Sequence, residues 1–228
     1  MKFFEYIIEF FTEKKCYTCG QVWHFFCQKC QENLYVYSPY CYVCKKPSKD
    51  FFTHMHCRQR FELKQCIVLT RYRHSGIKKS IRHAKYYGKY PVYHDIISYL
   101  WKRVSPSISP LPTGILIPVP MHRFRKWKRG YNQAEKIAEI LSLYTGFPVD
   151  RGLISRARRT KQQSHLSQSE RLSNLSEAFQ LQTHMYSITT PLYLVDDVIS
   201  TGSTLSEIAK TLQKAGFTDI RAIVIASD

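Results

Sequence analysis

Residues 193–205 carry the sequence YLVDDVISTGSTL, and this stretch decides the fold prediction. It opens with the apolar run of a buried strand and continues with the adjacent acids Asp196 and Asp197. It then passes through a turn of Gly, Ser and Thr residues into a helical pattern. In open parallel sheets, ligands bind beyond the carboxyl ends of the strands. The segment therefore predicts a parallel sheet with a ligand site where this strand ends.

The turn after the acid pair has the composition of a phosphate-binding site. Glycine and small hydroxyl residues allow successive backbone N–H groups to point at one anion, and the next helix adds its positive N-terminal end. Carboxylates would repel a phosphate, whereas they suit the 2′- and 3′-hydroxyls of a ribose, directly or through Mg²⁺. We therefore predict a ribose 5-phosphate site made of Asp196, Asp197, Ser200, Thr201, Gly202, Ser203 and Thr204.

The acid pair has a second interpretation, as a helix cap or a metal site of the kind found in receiver domains. Receiver domains, however, lack the TGST turn and carry their acid pair near the start of the chain. The turn and the late position of the pair, in a chain of 228 residues, favour the ribose-phosphate interpretation.

Apolar runs typical of strands alternate with amphipathic patterns typical of helices from residue 63 onward. Strands are predicted at residues 65–72, 115–119, 192–198 and 221–227, and helices at residues 74–87, 93–104, 132–145 and 203–215. This alternation predicts an α/β fold with helices on both faces of a parallel sheet. The polar and basic composition of residues 152–173 predicts a mobile excursion from that fold.

Seven of the eight cysteines lie within residues 1–57, and six of them form three CxxC pairs. A CxxC turn directs two sulfurs at one tetrahedral metal ion, so two such turns complete a zinc site. His54 and Cys57 form a fourth pair with the same spacing, which makes His56 the weaker candidate. The pattern predicts two closed, structural zinc sites, one from Cys16, Cys19, Cys27 and Cys30 and the other from Cys41, Cys44, His54 and Cys57.

These sites divide the chain into two predicted domains. So short and loop-rich a segment needs metal to fold, so we assign residues 1–62 to an N-terminal helix and a double zinc-ribbon module. Residues 63–228 then form the α/β domain. The N-terminal apolar stretch is too short and too acidic for a signal peptide or a membrane span. The expected location is the cytoplasm, where cysteines stay reduced, with the inner face of the membrane as an alternative.

The chain is strongly basic, with 34 Lys and Arg against 17 Asp and Glu and a net charge of +17. Asp95 is the only acid between residues 63 and 134. Such a balance favours polyanionic partners, and basic grooves with aromatic side chains suit single-stranded nucleic acid. The aromatic candidates are Tyr72, Tyr86, Tyr87, Trp101 and Trp127. The cationic candidates for DNA contact are Lys78, Lys79, Arg82, Arg123, Arg125, Lys126 and Lys128.

The chain resembles the ComF family of competence-associated proteins, which are similar to type I phosphoribosyltransferases. The resemblance rests on residues 193–205, the CxxC array, IPVP at 117–120, RGYNQ at 129–133, RTKQ at 159–162 and residues 171–179. It implies that residues 193–205 bind phosphoribosyl pyrophosphate (PRPP) together with Mg²⁺. It also implies pyrophosphate contacts from Pro120, Met121 and His122, further phosphate contacts from Lys85 and Arg129, and a mobile lid containing Arg158, Arg159 and Lys161.

Three functions follow from the resemblance and the residues. The first is a PRPP-binding protein that handles imported single-stranded DNA in natural transformation, with the zinc module docking a competence helicase or a recombination mediator. The second is an active, Mg²⁺-dependent phosphoribosyltransferase whose acceptor is open, because no residue clearly recognises an acceptor base. The third is a non-catalytic DNA-uptake adaptor, against which the intact acid pair and phosphate turn argue.

Overall fold

A computed structural model describes residues 15–22, 24–156 and 178–228. The helix predicted near the N-terminus and the lid cations Arg158, Arg159 and Lys161 lie outside the described residues. The strands are β1 (Gln65–Arg71), β2 (Ile115–Pro118), β3 (Ile154–Arg156), β4 (Phe179–Leu181), β5 (Leu192–Ile199) and β6 (Ile220–Ser227). The helices are α1 (Gln28–Glu32), α2 (Ser75–Tyr87), α3 (Val92–Val104), α4 (Arg123–Arg129), α5 (Gln133–Thr145) and α6 (Ser203–Lys214).

Four parallel strands form the central sheet in the order β1-β6-β5-β2. Strand β5 lies between two partners, with Asp196 opposite Val224 of β6 and Leu194 opposite Ile117 of β2. All four strands are buried over nearly their whole length, which explains why their sequences are continuous apolar runs. The predicted parallel sheet is confirmed.

Helices cover both faces of this sheet, as predicted. Helices α2, α3 and α5 pack together on one face, and α6, which connects β5 to β6, packs on the other. The placement of α2 and α3 on one face and of α6 on the other follows from right-handed crossovers, because the connection from β1 to β2 crosses the sheet in the opposite direction to the connection from β5 to β6. In the described part of the chain, no helix is long and apolar enough to span a membrane.

A short hairpin departs from the prediction for residues 152–173. Strands β3 and β4 pair antiparallel, with Ile154 opposite Leu181 and Arg156 opposite Phe179. The expectation of a mobile excursion is wrong for residues 154–156, because Leu153, Ile154 and Phe179 are buried in the core and anchor both arms. Residues 157–173 of that prediction lie outside the described residues.

The cysteine-rich module packs against the β1 edge of the sheet. Val36 forms a bridge with Thr70, and Phe52 forms one with Gln65. Farther along, the backbone N–H of Phe26 donates to Asp95 of α3. Buried residues of the module and of the sheet form one continuous hydrophobic cluster. The boundary between residues 62 and 63 therefore stays a prediction, since the two parts share a core.

Candidate functional site

Strand β5 delivers the predicted phosphate turn to the end of the sheet. After Ile199 the chain turns and enters α6 at Ser203. Gly202 has a φ of +78°, a left-handed conformation that glycine adopts without strain. A small cavity of about 50 Å³ opens here. It is lined by Asp196, Val198, Ile199, Ser200, Thr201, Gly202, Ser203, Thr204 and Leu205, and we call it the cradle.

The cradle offers hydrogen-bond donors of two kinds. The hydroxyls of Thr201 and Ser203 lie 3.0 Å apart at its rim. The N-cap residue of α6, Gly202, has no side chain that could cap the helix, and the N–H of Ser203 makes a long hydrogen bond of 3.4 Å to the Thr201 hydroxyl. Because first-turn N–H groups have no partner within a helix, they can donate to an anion, and the helix dipole favours negative charge there. The local chemistry therefore suits an anion such as a phosphate.

The two acids of the motif have different surroundings. Asp196 lines the cradle together with Val198, as expected for residues that share one face of a strand. Asp197 is only 3% exposed, and its carboxylate lies 2.8 Å from the Nζ of Lys85. Desolvation, followed by the nearby charge of Asp197, raises the pKa of Asp196 to about 8. Asp196 is thus the acid available to a ligand in the cradle.

Lys85 and Arg129, the two predicted phosphate contacts, differ in position. Lys85 lies in the last turn of α2 and reaches the acid pair. Arg129, at the end of α4, donates to the side chain of Gln133 and lies 5.9 Å from the ring centre of Tyr86. The structure therefore joins Lys85, and not Arg129, directly to the motif acids.

Tyr93 is a site neighbour that the sequence did not single out. Its side chain is fully buried at the start of α3, and its hydroxyl has no hydrogen-bond partner in the described part of the chain. Desolvation, and then the charge of Asp197, raise its pKa well above the usual value. Tyr93 is therefore a protonated donor beside the buried acid.

The RGYNQ segment holds the surroundings of the site together. The hydroxyl of Tyr131 donates to the backbone carbonyl of Ala84, next to Lys85. The side chain of Asn132 caps α5 and donates to the carbonyl of Val119 at 3.0 Å. The segment thereby fixes both the helix that carries Lys85 and the loop that begins at Pro120.

A larger cavity of about 750 Å³ lies between this loop and the β3–β4 hairpin. Its wall includes Pro120 and Met121 of the predicted pyrophosphate loop, while His122 caps α4 beside it. Its cations are Arg123, Lys126, Arg151 and Arg156. Lys126 and Arg151 pair with Glu135 and Glu139. Within the described ranges, Arg123 and Arg156 form no ion pair, so the cavity favours an anionic ligand.

The seven cations predicted to contact DNA are all exposed. Beside them, α2 and α4 carry exposed aromatic rings, since Tyr86, Tyr87, Phe124 and Trp127 are 70%, 69%, 56% and 80% exposed. The inclusion of Trp101 was wrong, because its ring packs into the core and only 7% of the residue is exposed. The seven cations and the four exposed rings form what we call the aromatic-basic surface.

Both predicted sets of metal ligands are assembled. In each set the four ligand atoms lie within 4.8 Å of one another, as a tetrahedral metal site requires. The second set contains His54 and not His56. None of the eight cysteines forms a disulfide. The two sets are Cys16, Cys19, Cys27 and Cys30, and Cys41, Cys44, His54 and Cys57, and both could hold zinc.

No protein-family model matches the chain. Competence protein F of Haemophilus influenzae is 43% identical over 112 residues, which are 49% of this chain and 48% of that protein. DNA utilization protein YhgH of Salmonella typhi is 39% identical over 107 residues, 47% of this chain and 46% of that protein. Thus this chain spans about half the length of these relatives. Competence protein ComFC of Bacillus subtilis is 25% identical over 200 residues, 83% of this chain and 78% of that protein.

Solved structures similar to the chain include adenine phosphoribosyltransferases. One matches 64% of this chain and 76% of its own, with 12% identity and a TM-score of 0.36. The enzyme from Leishmania tarentolae matches 64% of this chain and 75% of its own, with 17% identity and a TM-score of 0.34. The parallel sheet with its helices and the two metal-ligand sets define an α/β protein with a cysteine-rich module that could hold two metal ions. The named relatives confirm the resemblance to the ComF family.

Proposed function

We propose that this chain binds PRPP with Mg²⁺ and handles imported single-stranded DNA in natural transformation. The observation that carries the PRPP part is the convergence of Asp196, the hydroxyl-rich turn and the N-terminus of α6 on one cradle. Relatives named competence protein F and DNA utilization protein support the process. The cytoplasm stays the predicted location.

In this proposal, the 5-phosphate of PRPP occupies the cradle and the ribose hydroxyls face Asp196. The pyrophosphate then extends toward Pro120, Met121 and His122 and the larger cavity, where Arg123 and Arg156 supply positive charge. Carboxylate and phosphate oxygens are the ligands that Mg²⁺ prefers. Asp196 would hold the ion, which would neutralise part of the phosphate charge.

Calorimetric titration of the protein with PRPP and Mg²⁺ tests the ligand assignment. We expect saturable heat for the wild type and at least about a ten-fold weaker affinity for Asp196→Asn, because a carboxyl group can ionise when Mg²⁺ binds, whereas an amide cannot. Arg73→Ala, an exposed cation that precedes α2, is a matched control with unchanged affinity. No heat from the wild type would refute the PRPP proposal.

An active phosphoribosyltransferase is the second candidate, favoured by a larger cavity whose wall includes Pro120 and Met121 of the predicted pyrophosphate loop. In that reaction a nucleophile forms a bond to C1 of the ribose while the bond to pyrophosphate breaks. Donors and cations on the pyrophosphate stabilise the departing charge. Pyrophosphate release in the presence of nucleobases or oligonucleotides tests it. Tight PRPP binding without any release would favour the first function, a PRPP-binding protein that does not transfer the ribosyl group.

The aromatic-basic surface is the proposed contact for single-stranded DNA. Its exposed rings can stack on bases, and its cations can neutralise phosphates, which gives salt-dependent binding with little sequence preference. The proposed partner of the zinc module is a competence helicase or a recombination mediator. A pull-down of purified candidates, with and without the module's metal, tests that contact.

A further inference from the structure

We propose that Tyr42 is a positioning residue of the cradle, through which the second metal-ligand set is coupled to phosphate binding. Tyr42 lies between Cys41 and Cys44, so the turn that presents two metal ligands also presents this ring. The inference rests on the proposed ribose-phosphate site and adds a residue from outside the α/β domain to it.

The Tyr42 hydroxyl makes the direct contact. It donates to the backbone carbonyl of Ser200 at 2.5 Å, and the tyrosine is only 7% exposed. Ser200 is the first residue of the phosphate turn. Holding its carbonyl fixes the peptide plane that leads into Thr201, and so the direction of the N–H groups that follow. The hydrogen bond therefore orients the backbone N–H groups of the turn and does not occupy the space in which a ligand would bind.

Two aromatic rings back the middle of the turn. The rings of Tyr42 and Phe61 lie 5.3 Å apart. A Cβ atom added to Gly202 would lie 2.8 Å from Phe61 and 3.3 Å from Tyr42. The rings thus leave room for glycine alone. Lys45 lies 4.0 Å from the centre of the Tyr42 ring and covers it.

The helix after the turn is tied to the same region of the chain. The hydroxyl of Ser206, in the first turn of α6, donates to the carboxylate of Glu62. Lys210 lies 3.4 Å from the other oxygen of that carboxylate. The start, the middle and the helical end of the cradle therefore each contact residues 42–62.

The first CxxC turn supplies an internal comparison. Tyr17 occupies the equivalent position between Cys16 and Cys19. In both turns a backbone N–H donates to the carbonyl of the first cysteine at 2.8 Å, from Gly20 and from Lys45. The Tyr17 ring, however, stacks on His83 of α2 at 4.2 Å. Two turns with the same backbone hydrogen bond thus place Tyr17 against α2 and Tyr42 against the cradle.

The test compares Tyr42→Phe with Tyr17→Phe, each of which removes one hydroxyl and keeps the ring. Calorimetry with ribose 5-phosphate, and with PRPP plus Mg²⁺, measures the Kd. We expect Tyr42→Phe to raise both values roughly two- to ten-fold, the effect of one hydrogen bond. Tyr17→Phe leaves them unchanged. Zinc content stays at the wild-type value, and the melting temperature falls by no more than the loss of one hydrogen bond explains. A purely structural role of Tyr42 would lower the melting temperature without changing either Kd.

The outcomes separate this inference from the proposed function. Wild-type protein that binds neither probe would refute the proposed function itself. Normal wild-type binding with an unchanged Kd for Tyr42→Phe would refute only the role of Tyr42. Equal weakening by both variants would do the same, because the effect would belong to the whole module. Should Tyr42→Phe fold poorly, Phe61→Leu is the second variant, and an unchanged Kd there would also overturn the proposal.

Discussion

At the scale of single residues, the two adjacent acids of the motif, Asp196 and Asp197, have different surroundings. Asp196 faces the cradle and has a raised pKa, whereas Asp197 is buried and paired with Lys85. The alternation of side chains along a strand produces this separation. The sequence predicted that both acids contact the ribose. In the structure Asp196 faces the cradle, whereas Asp197 pairs with Lys85 behind it.

The raised pKa of Asp196 predicts a pH-dependent stability. The unfolded chain releases this proton near the usual carboxyl pKa, whereas the folded chain retains it up to about pH 8. Between these values the folded state binds more protons, so stability falls as pH rises. We expect the stability gained by Asp196→Asn to grow up to about pH 8 and then level off. Urea unfolding across this range measures it, and a pH-independent difference would contradict it.

The buried ion pair predicts a coupled loss of stability. Lys85→Met leaves the carboxylate of Asp197 buried without its cation, which costs about 2 to 4 kcal/mol. Adding Asp197→Asn removes the stranded charge, so the double variant should recover most of that loss. Denaturant unfolding of the two single variants and the double variant gives the coupling energy. If the stability losses of the two single variants simply add in the double variant, the ion pair contributes nothing to stability.

At the scale of elements, the sequence predicted what depends on local periodicity. Helix α5 begins after Asn132 and ends before Gly146, as its cap and its left-handed glycine indicate. The strands of the central sheet also match within a few residues. The contacts of Tyr93 and Tyr42 were missed, because each depends on distant segments that only the folded chain brings together. The buried anchor of the β3–β4 hairpin was missed because its strands are only three residues long.

The turn between β5 and α6 predicts a site-specific effect of a glycine substitution. Gly202→Ala adds a Cβ atom 2.8 Å from Phe61 to a residue with a φ of +78°. Gly88 also has a positive φ, of +67°, but nothing lies near its missing Cβ. We expect Gly88→Ala to cost about 1 kcal/mol of stability, and Gly202→Ala to cost more and to weaken ribose 5-phosphate binding. Equal losses in unfolding experiments, with unchanged binding, would contradict this.

At the scale of the whole molecule, part of the net charge of +17 lies on one identifiable region of the surface. The larger cavity, lined by cations, opens beside α4, and the exposed rings of Phe124 and Trp127 lie on that helix. Charge alone would bind any polyanion, whereas exposed rings add stacking with unpaired bases. The proposed ligand of this surface is therefore single-stranded DNA, whose bases are free to stack.

Stacking and charge at this surface can be separated by salt dependence. Trp127→Ala removes a ring that is 80% exposed, so we expect the Kd for oligo(dT) to rise about five-fold or more, with an unchanged slope of log K against log salt. Arg125→Ala removes a phosphate contact and should lower that slope by about 0.7. Met185→Ala, at a fully exposed side chain on another segment, is the control without effect. Fluorescence anisotropy over a salt series measures all three. Binding that Trp127→Ala leaves intact at every salt concentration would remove stacking from the proposal and leave only non-specific charge.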